Sequence, residues 1–332
     1  YPTGIYIVHV EDGTIRYLAP TGSAARASTF NVMNPKEVYH FFVQTTGCAA
    51  TSWVELRAVD IETYEVRAVR RYDGAFDCRF SCQSPDGKWM FFSVDTGSQR
   101  VPWSRRKKQH VMVNLETGQD HPWWTYDPEY PASDNPDGAL WNPVLPSRVL
   151  ALRYDAGTQR LIRGYFDVEA LTETRLQIRT AHSAIHPNGR WLADLFGIRD
   201  VRDRCLAASC DRTYRLIGHP CADHSDTDQG WDARLVVDYV GGGGVLLEPT
   251  WATVRDVPAD TWKNDAGLVL GAWYGTDDGE CHPHPHYSPD GKYVAWRSNL
   301  RNTALYGAPP GPDDGQVHSA DIFVIVRDLV PE

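Results

Sequence analysis

Ser84-Pro85-Asp86-Gly87-Lys88-Trp89-Met90-Phe91-Phe92 is a tight turn running into an apolar segment, and the chain repeats it. His186-Pro187-Asn188-Gly189-Arg190-Trp191-Leu192-Ala193 is a second copy, and Ser288-Pro289-Asp290-Gly291-Lys292-Tyr293-Val294-Ala295-Trp296 is a third. Pro85, Pro187 and Pro289 are 102 residues apart each time, which corresponds to two repeats of about fifty residues. Proline presets φ for a turn, glycine supplies positive φ, and the apolar run that follows reads as a buried strand. Looser copies stand at Asn34-Pro35-Lys36-Glu37-Val38-Tyr39-His40-Phe41-Phe42 and at Leu145-Pro146-Ser147-Arg148-Val149-Leu150-Ala151-Leu152.

A second phrase, a short strand ending in a polar turn, alternates with the first. It occurs at Ile5 to Gly13, Leu56 to Thr63, Val111 to Gly118 and Ile322 to Asp328. Short strands at this spacing, with no long segment of helical period, predict an all-β protein, a β-propeller forming a single domain over residues 1–332. At roughly 45–50 residues per four-stranded blade, the length corresponds to about seven blades. The first and last phrases resemble each other, so the N- and C-terminal strands are expected to share one blade and close the ring.

Hydrophobic residues make up 42% of the chain, enough for a core, and 12 tryptophans suit flat packing between sheets. No apolar run is long enough to span a membrane. The net charge of −10 disfavours nucleic acid and anionic membranes as partners. Arg105-Arg106-Lys107-Lys108 is a local exception and reads as a solvated hairpin tip. The same segment could also face an anionic glycan. Monomers or weak oligomers are expected.

Seven cysteines occur. Cys78 with Cys82 and Cys205 with Cys210 are close pairs in loop-like sequence, which suggests two small disulfides and an oxidising compartment, secreted or periplasmic. The first residues already read as strand, so the chain is read as mature or trimmed. Cys48 is expected to be a buried thiol. Cys221 and Cys281 sit beside histidines, in His219-Pro220-Cys221-Ala222-Asp223-His224 and in Cys281-His282-Pro283-His284-Pro285-His286. Each could be a ligand, a partner of the other, or neither.

In that last segment three imidazoles alternate with two prolines. Proline biases its predecessor towards extended geometry, and in an extended segment residues two apart project to one face. His282, His284 and His286 therefore read as the start of a metal site. Further histidines fall in Ala181-His182-Ser183 and in His219 to His224. Loops of different propeller blades converge at one end of the channel, where such residues can meet. His186 and His286, just before strand phrases, read as turn or packing residues. His9, His40, His110, His121 and His318 read as surface or packing residues.

These phrases resemble the oligogalacturonate lyases, propeller enzymes that cleave uronic-acid oligosaccharides. The resemblance is carried by Trp141-Asn142-Pro143 through Leu152 with Gly157 to Ile162, by Ala181-His182, and by His224-Ser225-Asp226 together with His282-Pro283-His284-Pro285. It implies a divalent cation, usually Mn2+, held by His224, His282 and His284, and it implies Arg160 as the catalytic base. It covers mainly residues 140–300. The chain departs from the family at Gly279, where a Gln ligand is usual, and at Ser183, where a Glu follows the histidine. A water, Glu280 or Cys281 could fill the Gln position, and a thiolate there would favour Zn2+; Ca2+ is a third option. Ulvan and rhamnosyl-glucuronate lyases share the architecture and are alternatives.

The reaction implied is β-elimination on an acidic oligo- or polysaccharide. A base removes the C5 proton of a uronate while a cation stabilises the charge that develops on the carboxylate. A guanidinium normally stays charged, whereas an imidazole titrates near neutrality, so His182 stands beside Arg160 as candidate base, with a tyrosine as a further option. Rival readings are a non-catalytic binding propeller and a glycoside hydrolase with paired carboxylates.

Overall fold

A computed structural model describes residues 4–23, 28–96, 108–127, 139–155, 157, 160–175, 183–194, 197–201, 220–223, 230–239, 245–256, 268–272, 285–288, 290–298 and 321–326. Among these the fold is all-β: the strands form antiparallel sheets, with a single α-helix, Trp251–Asp256. The chain divides into two compact units, Tyr1–Leu176 and Gln177–Glu332.

The first unit opens with a hairpin of β1 (Gly4–Val8) and β2 (Ile15–Pro20). Three sheets follow in chain order. The first contains β3 (Ser28–Phe30), β4 (Glu37–Gln44), β5 (Trp53–Asp60) and β6 (Val66–Asp73). The next contains β7 (Asp77–Gln83), β8 (Trp89–Asp95) and β9 (Lys108–Asn114). The last contains β10 (Leu140–Trp141), β11 (Arg148–Asp155), β12 (Arg160–Asp167) and β13 (Thr172–Arg175). Every sheet is an up-and-down meander of sequential strands.

The second unit repeats the plan. It has β14 (Ala184–Ile185), β15 (Trp191–Asp194) and β16 (Gly197–Asp200) in one sheet. A second sheet holds β17 (Pro220–Ala222), β18 (Leu235–Tyr239), β19 (Val245–Glu248) and β20 (Leu268–Ala272). A third holds β21 (His286–Tyr287), β22 (Tyr293–Ser298) and β23 (Asp321–Val326). The proline phrase has a fixed place in this plan, while the second phrase starts on β1 at Ile5 and on later strands elsewhere. The proline phrases join the first strand of a sheet to its second, and Leu56, Val111 and Ile322 all lie on third strands.

The turn chemistry explains why the proline phrase recurs. The Ser84 hydroxyl donates to Asp86 Oδ1 (2.6 Å) and accepts the Trp89 N–H (2.9 Å), while Lys88 N–H binds Asp86 Oδ1 (3.1 Å). Gly87 takes φ of 71°, a conformation that costs other residues about 1–2 kcal/mol. Ser288, Asp290, Gly291 and Tyr293 reproduce the same bonds, at 2.6, 3.2 and 3.0 Å, with φ of 69° at Gly291.

Strands β8 and β9 are buried on both faces. Met90, Phe92, Val94, Val111 and Val113 pack against Tyr39, Phe41, Val43, Val54 and Leu56 of the preceding sheet, with Phe41 and Phe92 ring centroids 4.8 Å apart. Phe91 and Met112 point the other way, onto Val149, Ala151 and Phe166. The period-2 alternation of a strand thus serves two interfaces at once, and full burial of each such side chain contributes about 1.5–3 kcal/mol. In the second unit Ala184, Ala193, Ala222, Leu235, Val237 and Trp251 form the corresponding core.

Three sequence expectations are corrected here. Cys78 and Cys82 are not joined in a disulfide and sit on the same strand, β7. Four extended residues span about 13 Å at roughly 3.3 Å each, and even with the bulge between Arg79 and Cys82 that exceeds the reach of about 7 Å a disulfide allows. Burial pushes the Cys82 thiol up to about 12. Cys48 is exposed, ahead of the short 3-10 turn Ala49–Thr51. Lys108, read as part of a solvated tip, is 1% exposed and lies opposite Asp95, which lies opposite Asp77; both aspartates are also buried. Cys205, Cys210 and Arg105 to Lys107 lie outside the described residues.

His40 is 1% exposed on β4, and among the described residues no geometric hydrogen bond reaches either ring nitrogen. It stands between Ser28 and Arg57 on the neighbouring strands. Burial first, and then the Arg57 guanidinium, pull its pKa down to about 4 from 6.5. A histidine depressed in the folded state takes up protons preferentially when unfolded. Stability is therefore full above pH 6.5 and declines as the pH falls towards 4, by roughly 3 kcal/mol in total. His40→Leu is expected to flatten that acid limb in urea titrations between pH 7 and 4.5; an unchanged limb would assign acid sensitivity elsewhere. The thiols give a second test. A thiol reagent on native, unreduced protein should label Cys48 rapidly and Cys78 only after unfolding, and a Cys78–Cys82 crosslinked peptide would refute the assignment.

Candidate functional site

Six first-to-second-strand hairpins are closed by one equivalent bond. Backbone N–H groups of Asn31, Ser84, Asn142, His186, Asp223 and Ser288 bind the carbonyls of Glu37, Trp89, Arg148, Trp191, Arg234 and Tyr293, at 2.8 to 3.1 Å. The side chain at this position then braces the turn. Asn31 and Asn142 accept backbone N–H groups at 2.9 Å, and Asp223 accepts from Arg234 Nη2 at 2.7 Å. His186 is one of these closers. Its Nδ1 accepts the Asn188 N–H (3.0 Å), which leaves Nε2 to donate to the Gly230 carbonyl (2.7 Å). Packed edge-on to Trp251 at 4.8 Å, it is a turn and packing residue, as expected. His121 likewise bonds the Val168 carbonyl (3.0 Å), and His110 bonds Ser93 (3.0 Å).

The residues named for chemistry are placed unevenly. Arg160 opens β12 opposite Asp155, but its side chain lies outside the described residues. So do His182, His224, His282, His284, Gly279, Glu280 and Cys281. His286 is described, on β21 and exposed. Among the described residues no three His, Cys, Asp or Glu side chains gather closely enough to hold a metal ion.

The closers provide a register that sequence spacing alone lacks. Ser183, Pro220 and Pro285 are described, and each stands three residues before its closer, His186, Asp223 and Ser288 respectively. They are equivalent positions at the entry to β14, β17 and β21. These first strands are neighbours in the second unit, β14 beside β17 and β17 beside β21. The residue preceding each in sequence is a histidine: His182, His219 and His284. Imidazole donors suit a zinc-type cation, and the side chains of these three histidines lie outside the described residues. This equivalence was invisible in the sequence because Asp223 does not look like a turn residue of the Pro-Asp-Gly phrase.

Other polar groups surround these strands. The Tyr287 hydroxyl donates to Glu248 Oε1 (2.6 Å), and burial together with the Glu248 charge drives its pKa far above the usual phenol value. Burial pushes the half-buried Cys221 thiol up to about 11, so it is a neutral thiol at pH 7 and is not paired in a disulfide. The Tyr287–Glu248 and Asp223–Arg234 pairs carried no sequence signal, since their members are 39 and 11 residues apart.

No protein-family model matches the sequence, and no curated protein matches it. Solved structures do. An oligogalacturonate lyase from Vibrio parahaemolyticus aligns with a TM-score of 0.53 at 12% identity, over 88% of this chain and 79% of the lyase. An oligogalacturonate lyase in complex with manganese aligns with a TM-score of 0.52 at 12% identity, over 97% of this chain and 82% of that one. TolB from Acinetobacter baumannii aligns at a TM-score of 0.41 and 12% identity, and the chain spans 53% of its length. At such identities the two lyase alignments establish a likeness of fold, all-β and of propeller type.

Proposed function

We propose that the chain is a lyase that cleaves uronic-acid-containing oligo- or polysaccharides by cation-assisted β-elimination, leaving a 4,5-unsaturated uronide. What supports this reading is the likeness of fold to two oligogalacturonate lyases, together with the histidine-rich segments of the sequence. The finer architecture proposed with it is a seven-bladed ring in which the terminal strands share a blade. With the Cys78–Cys82 pairing removed, the proposal of a secreted or periplasmic location rests on Cys205 and Cys210. No helix among the described residues is long and apolar enough to cross a membrane.

The cation ligands implied by the resemblance are His224, His282 and His284, with Mn2+ as first choice. When bound, the cation draws off negative charge as it develops on the uronate carboxylate. The chain's own residues must do the rest. A base takes the C5 proton, the electron pair forms the C4–C5 double bond, and the C4–oxygen bond breaks with its electrons leaving on the glycosidic oxygen, which then takes a proton. Arg160 and His182 are the two candidates for the base. Losing a proton from arginine at pH 7 costs roughly 7 kcal/mol unless its surroundings lower the pKa; an imidazole needs no such shift.

In the product the new C4–C5 double bond is conjugated with the C6 carboxylate and absorbs at short ultraviolet wavelengths, so cleavage can be followed directly. Incubation with oligogalacturonate, ulvan and glucuronate gums should give rising absorbance on one of them, abolished by a chelator. Arg160→Ala should lower that rate by at least about a hundredfold if it supplies the base. No absorbance change on any uronide, with Mn2+ bound, would replace the lyase by a non-catalytic glycan- or protein-binding propeller.

A further inference from the structure

The hairpin of β1 and β2 is seated on the sheet of β3 to β6 by a small set of contacts. Ile5, Leu18 and Ala19 pack with Val38 and Val59. Just past Pro20 the chain is clasped to β4, by Val43 N–H to the Thr21 carbonyl (3.0 Å) and Ser23 N–H to the Val43 carbonyl (2.7 Å). A cleft of about 140 Å3 remains in the seat, lined by Ile5, Ile7, Leu18, Ser28, Phe30 and Val38 among others. A two-stranded hairpin is marginal by itself in water, so its order depends on this seat. His40 stands within it. Alternate residues of a strand share a face, so Val38, His40 and Phe42 project together. Val38 belongs to the seat, and a Cβ on Gly22 would lie 3.0 Å from the Phe42 ring. The chain from Leu18 to Gly22 therefore spans the part of β4 that carries His40, which is 1% exposed.

The groups that face His40 oppose a charge there. Ser28, opposite on β3, is neutral, and Arg57, opposite on β5, is a cation. Arg57 is fixed by its ion pair with Glu55 and by the Phe42 ring 4.0 Å below its guanidinium, so it cannot readily turn away, and the Glu55 carboxylate is already engaged. The hairpin residues of the seat, Ile5, Leu18 and Ala19, are apolar. We propose that His40 is an acid-operated latch: a proton on its ring frees the β1–β2 hairpin from the sheet, with the Thr21–Ser23 clasp as hinge, while the core between this sheet and the next stays folded. That core lies on the opposite face of β4, where Tyr39, Phe41 and Val43 meet Met90, Phe92 and Val94. The charge therefore develops against the hairpin rather than against the core, and the hairpin is the more weakly held of the two. The latch is independent of the proposed reaction.

Hydrogen exchange of the full chain, read by mass spectrometry and normalised to the unstructured rate at each pH, follows the two parts separately. The ring has a pKa of about 4 in the seat, against 6.5 when free. Opening takes up a proton, so relative to pH 8 it becomes easier by about tenfold at pH 5.5 and about seventyfold at pH 4.5. Peptides from residues 4–20 should lose protection by those factors, while peptides from β8 and β9 keep theirs. In His40→Leu the protection of residues 4–20 should be the same at pH 4.5 and pH 8. His40→Gln covers the case in which the leucine variant does not fold, and it should behave likewise. Three results would overturn the latch: a parent hairpin that keeps its protection to pH 4.5, hairpin and core losing protection together, or folded variants whose hairpin opens in acid as the parent's does. The parent profile by itself separates local release from global unfolding, so the test stands even where a variant does not fold.

Discussion

A single backbone hydrogen bond, made where the first strand of each sheet turns into the second, organises this molecule. The closer donates its N–H across the turn and its side chain braces the loop from inside. A residue must therefore combine a free amide with a short polar side chain, and Asn31, Ser84, Asn142, Asp223 and Ser288 all do. His186 meets the same demand with a ring nitrogen. Once that bond is made, the register of both strands is set, and a slip of one residue would turn every side chain to the opposite face. Strands such as β8, with Phe91 and Phe92 both fully buried, have no solvent side that could tolerate such a slip.

That constraint governs what the sequence could disclose. Where the closer sits in a Pro-Asp-Gly or Pro-Asn-Gly phrase, the turn is legible, because the hydrogen bonds need those residue types. The all-β class and the order of strands follow from it. The hairpin closed by Asp223 has neither proline nor glycine at the usual places, so its end of β17 was unmarked. The histidines on either side of that strand then looked interchangeable in sequence. Only the closing bond shows that Asp223 belongs to the turn.

The cysteine and lysine corrections have the same origin. Cys78 and Cys82 stand four apart, a spacing that suits a small loop, but an extended strand holds them apart. The Arg105 to Lys108 run looks solvated as composition, but Lys108 begins β9 opposite the buried Asp95, which itself lies opposite the buried Asp77. Side chains near a strand end take their surroundings from the adjacent strands, and sequence neighbours say little about those. Paired contacts such as Tyr287 with Glu248 belong to the same class, since they join strands of different sheets.

The Asp223 hairpin also carries a lesson about tolerance. Ser84 and Trp89 enclose four residues, whereas Asp223 and Arg234 enclose ten and keep the same closing bond. Because loop-closure entropy grows only logarithmically, about 0.6 kcal/mol for each doubling, the clasp lets a loop lengthen at almost no thermodynamic penalty. Each such turn is thus a port at which new sequence can be spliced without disturbing the sheets. Across a lineage of such chains, innovation would be expected to accumulate at those ports while the strand entries stay fixed.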